Sequence, residues 1–94
     1  MIKIVSPNHP SLQLYTGDYS IGACDDKTKC VYICEGLPSH KFKKVLCHEL
    51  THAAMFSYNV DLSWEQEELM ADLIATYGQE IIYETNNFFN RLKK

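Results

Sequence analysis

The sequence predicts an α+β fold: a small antiparallel sheet, built from an N-terminal strand and a hairpin, packed on two main helices. Three observations carry that expectation. Short, β-branched, strand-length segments all lie before Glu35. From about His40 the apolar period becomes helical. No repeat, low-complexity tract or linker divides the chain, and its 94 residues suit one domain, 1–94, with a small core. Hydrophobic residues make up 46% of the chain, enough to drive folding.

The elements follow in order. "IKIV" reads as a strand that Pro7 ends. "SPNHPSLQLYTG", with two prolines and a glycine, reads as an irregular crossing. "YSIGACDDKTKCVYICEG" reads as a hairpin with "DDKTK" as its turn. On its second arm Val31 and Ile33 share one face, and Cys30, Tyr32 and Cys34 share the other. "GLPS" then breaks the pattern, with Ser39 as expected N-cap. Phe42, Val45, Leu46, Leu50, Ala53 and Ala54 form one apolar helical arc, which ends near "SYNVDL". Ser63 and Gln66 form a capping box for the next helix. Gly78 is expected to bend or weaken that helix, and "TNN" near residue 86 to break it.

Charge narrows the function classes. The net charge of −3 and the local clusters Lys41, Lys43, Lys44 and Lys93, Lys94 give no basic stripe, so no nucleic-acid partner is expected. These lysines read as solvated helix faces. No segment has the length and apolarity of a membrane span or an export signal, so no membrane partner is expected and the expected location is cytoplasmic. There Cys24, Cys30, Cys34 and Cys47 are expected to be reduced thiols, since none has zinc-knuckle spacing.

The chemistry concentrates in "LCHELTHAAM". His48 and His52 are four apart, one helical turn, so both imidazoles can reach a single zinc ion. Glu49, one position round, can take a proton from a zinc-bound water without binding the metal. Such a motif arises by chance in on the order of one shuffled chain in a hundred, so context has to decide. Glu49 falls inside the apolar arc, where a carboxylate without a partner is costly; a metal-site role accounts for it. A hydrolytic zinc site also needs a third protein ligand. On the second helix Glu68 and Asp72 share a face beside Ala71 and Ala75, small residues that let two helices approach. Glu68 is the expected ligand. Asp72 is expected to accept a hydrogen bond from a ligand histidine's free N–H. Glu67 is the reserve ligand, expected to point about 100° away toward Met70, Ile74 and Ile81. Tyr58, Tyr77, Tyr83, His9 and His40 are all candidates to stabilise an oxyanion, with nothing to choose among them.

"HELTH" followed by "ELMAD" resembles the gluzincin metallopeptidases, and size and element order resemble the compact ImmA/IrrE-type metallopeptidase domain of phages and mobile elements. The resemblance covers about residues 18 to 80. That family carries a His-Glu-x-x-His helix, then a Glu, then an Ala-Asn pair; here these fall on Glu68, Ala71 and Asp72, with Asp for Asn. Thr51 stands where the family usually has glycine. The resemblance implies a minimal zincin-like core and zinc-dependent cleavage of a protein or peptide, often a repressor. Two other readings remain open: a zinc-stapled module that binds a repressor or toxin without catalysis, and a helical interaction module with no metal.

Overall fold

The computed structural model describes residues 1–93; Lys94, the last of the terminal lysine pair, lies outside the described residues. The fold is α+β. Strands β1 (Ile2–Val5), β2 (Gly22–Asp25) and β3 (Cys30–Cys34) precede helices α1 (Ser39–Ser57), α2 (Trp64–Leu73) and α3 (Gln79–Leu92). A 3₁₀ turn, Pro10–Leu12, lies in the first loop, and a π-helical turn, Ile74–Gly78, joins α2 to α3. Among the described residues no helix is long and apolar enough to cross a membrane.

The sheet order is β1-β3-β2, and it is mixed where the sequence predicts antiparallel. The hairpin pairs antiparallel as expected, Gly22 opposite Ile33 and Asp25 opposite Cys30. β1 instead runs parallel to β3, Val5 opposite Cys34. The connection explains it. β1 ends and β2 begins at the same end of β3, so the long proline-bearing loop has only to cross that end.

β3 is buried on both faces. Cys30, Tyr32 and Cys34 pack with Leu12 of the 3₁₀ turn, Val5 and Ala23. Val31 and Ile33, on the opposite face, are buried, Ile33 fully. α1 packs on β2 and β3 but not on β1, so Ile2 and Ile4 stay about half exposed. All four cysteines are free thiols, as the sequence predicts, and Cys30 and Cys34 are core residues.

Helix α1 starts at Ser39 with Pro38, not Ser39, at its N-cap and no side-chain cap. Its buried face also differs from the apolar arc. Glu49, Thr51, His52 and Met55 are buried, while Leu50 and Ala54 are exposed. The reason is that α1 sits between the sheet and α2, so the residues aimed at those two neighbours are buried whatever their polarity. Thr51 keeps its hydroxyl satisfied by donating to the Cys47 carbonyl oxygen at 2.9 Å, which lets it stand mid-helix. Asn59, in the left-handed region at φ 53°, turns the chain toward α2.

The capping box of α2 forms in full: Gln66 N donates to Ser63 Oγ at 3.2 Å and Ser63 N donates to Gln66 Oε1 at 3.0 Å. Ala71 and Ala75 are buried against α1, so the two helices approach closely. The expected bend at Gly78 takes the form of the π-helical turn, which ends there. The expected break at "TNN" does not occur. Thr85 donates its hydroxyl to the Ile81 carbonyl at 2.7 Å and the helix runs on to Leu92.

Candidate metal centre

α1 and α2 bring His48, His52, Glu68, Asp72 and both flanking glutamates into one cluster. The groups His48–Glu49–His52 and His48–Glu68–Asp72 each place their donor atoms within 4.8 Å of one another and could hold a metal ion. The two imidazoles meet edge to face, centroids 4.9 Å apart. Glu68 spans both. Its Oε1 is 2.8 Å from His52 Nε2, and its Oε2 is 3.5 Å from His48 Nε2. The expected ligands His48, His52 and Glu68 are divided between those two groups, and Glu68 reaches the two imidazoles through different oxygens. Two imidazoles and a carboxylate suit a borderline-soft divalent ion. The donor chemistry is therefore that of a site able to hold a divalent ion such as zinc.

The remaining carboxylates differ from expectation in instructive ways. Asp72 lies 3.1 Å from His48 Nε2, the metal-facing nitrogen, and not at the free N–H. The contact at Nδ1, expected of Asp72, is made by Glu49, whose Oε2 stands 3.1 Å away. Glu67 does not point away. Its Oε1 is 3.7 Å from His52 Nδ1, in ion-pair range though too long for a hydrogen bond. Helix geometry accounts for this. α2 presents Ala71 at the centre of its contact with α1, and residues three and four before it, Glu68 and Glu67, flank that line. Each imidazole thus has a carboxylate toward Nδ1 and Glu68 toward Nε2.

Glu49 is 8% exposed, the most buried charged group here. It can sit there because Gly22 opposite has no side chain: a Cβ on Gly22 would stand 3.2 Å from Glu49 Cγ and 2.6 Å from Val45 Cγ1. Glu49 and His48 line a cleft of about 400 Å³ between the start of β2 and α1, with Ile21, Val45, Lys41 and Lys44. Cys24, two residues after Gly22 on β2, has its thiol pushed up from 9.0 to about 11, first by burial and then by the Glu49 carboxylate.

None of the five oxyanion candidates lines that cleft. Tyr58, Tyr77, Tyr83 and His40 are exposed. His9 stacks on Tyr32 and accepts from Ser11 N at 3.1 Å, a structural role. Lys41 and Lys44 do line it, and sequence reading missed them. The available signal was their spacing: Lys41, Lys44, His48 and His52 follow one helical face.

Comparison of the chain with protein-family models, with curated proteins and with solved structures returns no match in any of the three. The functional reading therefore rests on the residues and their geometry.

Proposed function

We propose that the chain is a cytoplasmic zinc-dependent metallopeptidase that hydrolyses a peptide bond in a protein or peptide substrate. The observation that carries the reading is Glu49: a buried carboxylate beside the histidine pair that opens on a cleft. Burying such a group is costly; one oxygen is occupied in orienting His48, and general-base chemistry gives the other a use. His48, His52 and Glu68 are the residues that would hold the ion. Zinc, when bound, supplies a Lewis acid that polarises the scissile carbonyl and makes water a nucleophile at neutral pH. Glu49 takes the attacking water's proton on the oxygen not engaged by His48, then returns it to the leaving amine. Its other oxygen holds His48 through Nδ1, which keeps Nε2 aimed at the ion. Lys41 and Lys44 give the cleft a positive rim that suits a developing oxyanion or an acidic substrate group.

The test is Glu49→Gln. Glutamine can still accept from His48 Nδ1–H, so fold and near-stoichiometric zinc, measured by elemental analysis, are retained. Proteolysis should fall by about 10²–10⁴-fold, the value of a positioned general base. Protein termini from cells expressing either form, compared by mass spectrometry, read the difference. Equal cleavage by both removes Glu49 from the mechanism.

One observation favours a second reading. Asp72 Oδ1 at 3.1 Å from His48 Nε2 could close the fourth metal position, giving a zinc-stapled partner-binding module without catalysis. The side chain of Asp72 is 69% exposed, so it can swing aside at little cost. Asp72→Ala separates the two: an open site keeps its zinc affinity, whereas a closed four-ligand site loses it.

A further inference from the structure

Helix α3 has no buried residue, and among the described residues it approaches only the π-helical turn before it. Yet Ile81, Ile82, Phe88, Phe89 and Leu92 are each more than half exposed. At 100° per residue they fall, with Thr85, within an arc of about 120°. This is a continuous apolar stripe, not scattered surface hydrophobics.

We propose that this stripe pairs with the same stripe of a second copy of the chain, with the two α3 helices antiparallel. The charges at its margins pick out that occupant. Glu80, Glu84 and Arg91 lie along one edge of the stripe, the two acids in the N-terminal half and the cation in the last turn. In an antiparallel pair like edges face each other. A two-fold axis near Asn86 and Asn87 sets Leu92 of one copy over Ile81 of the other, and Arg91 between the second copy's Glu80 and Glu84. Parallel pairing would bring Arg91 against Lys93 on the opposite edge and leave both glutamates without a cation. In the single chain Arg91 lies over the Phe88 ring at 5.5 Å and Lys93 over the Phe89 ring at 4.7 Å, so both cations already border the stripe.

The area is sufficient. Five half-exposed large side chains at about 100 Å² each give roughly 500 Å² per copy and about 1,000 Å² for the pair, where specific interfaces begin. The stripe also runs into a groove of about 700 Å³ lined by Cys47, Ile74, Gly78, Ile81 and Ile82, placed to receive the second copy's Leu92 end. The pairing face is separate from the histidine cluster, so this inference stands whether or not the chain is a peptidase.

Sedimentation equilibrium or light scattering on the full chain tests it. At about 100 µM the wild type should show twice the 10.9 kDa chain mass, with the dimer fraction falling on dilution. Phe88→Glu should give a monomer that keeps its helical circular dichroism, because Phe88 is exposed in the single chain. Arg91→Glu should weaken the dimer about tenfold or more, and adding Glu80→Arg and Glu84→Arg to it should restore the affinity. A monomer at every concentration up to about 1 mM overturns the proposal and leaves the stripe to a different protein. So does a dimer that survives Phe88→Glu, or one that Arg91→Glu leaves unchanged or tightens.

Discussion

Alanine at position 22 sets two opposed effects against each other at the joint that holds Glu49. Gly22 lies outside the left-handed region, so alanine can adopt its backbone conformation. In open space such a change stabilises by about 0.4–1 kcal/mol, because the unfolded chain loses freedom. Here the new Cβ would stand 2.6 Å from Val45 Cγ1, against the usual 3.5–4.0 Å between carbons. Relieving about 1 Å of overlap means shifting a helix or a strand, and overpacking of this kind costs about 1–3 kcal/mol. The clash therefore wins by about 1–2 kcal/mol, which lowers Tm by roughly 5–15 °C in a domain of this size. Thermal denaturation followed by circular dichroism reads it. Val45→Ala removes the clashing methyl, so the double variant should lose less than the sum of the singles by about 1 kcal/mol. A Gly22→Ala protein as stable as wild type, or strict additivity in the double variant, would refute the reasoning. On the proposed function, Gly22→Ala should also lower proteolysis at temperatures well below its Tm, since the shift displaces Glu49.

Three further outcomes are expected. Glu68→Ala should lower zinc affinity more than Glu67→Ala, because Glu68 faces both Nε2 atoms and Glu67 a single Nδ1; competition with a chromogenic chelator ranks them, and the reverse order would exchange the ligand assignment. Thiol titration of protein denatured without reductant should count four thiols, and two missing would mean a disulfide. The Cys24 thiol keeps its proton to higher pH folded than unfolded, so its contribution to stability is complete below pH 9 and is lost as pH rises through about 11. The Tm difference between wild type and Cys24→Ala should therefore shrink over that range, and a constant difference would count against it.

Local rules made much of this molecule legible. The capping box, the hairpin with its turn and the alternation of Val31 and Ile33 against Cys30, Tyr32 and Cys34 depend on residues close in sequence. The metal cluster was legible for the same reason, since an i, i+4 pair and a nearby helix carry it. What the pattern did not reveal depends on neighbours. The direction of β1 is set by where a long loop crosses. The buried face of α1 is set by two packing partners, so Glu49 and His52 go inside while Leu50 stays out. Glu67 and Asp72 took unexpected nitrogens because a helix facing another presents two flanks, and the choice of flank is tertiary. The cleft wall at Ser20, Ile21 and Gly22 came from a strand start that carries no catalytic side chain at all.

The chain order of these parts bears on how the molecule is made. Every group of the histidine–carboxylate cluster, from His48 to Asp72, belongs to one helical hairpin, whereas the β1–β3 ladder joins residues near opposite ends of the first third of the chain. The two closures span similar lengths of chain, and loop-closure entropy grows only slowly with length, so neither has a marked advantage. The cluster itself takes no residue from the sheet, so the two helices alone can bring its donors together. Glu49 becomes enclosed only when β2 lands on α1. On the proposed function, metal loading needs only the helices while enclosure of the general base needs the sheet, so a chain with its sheet undone would hold metal without cutting its neighbours.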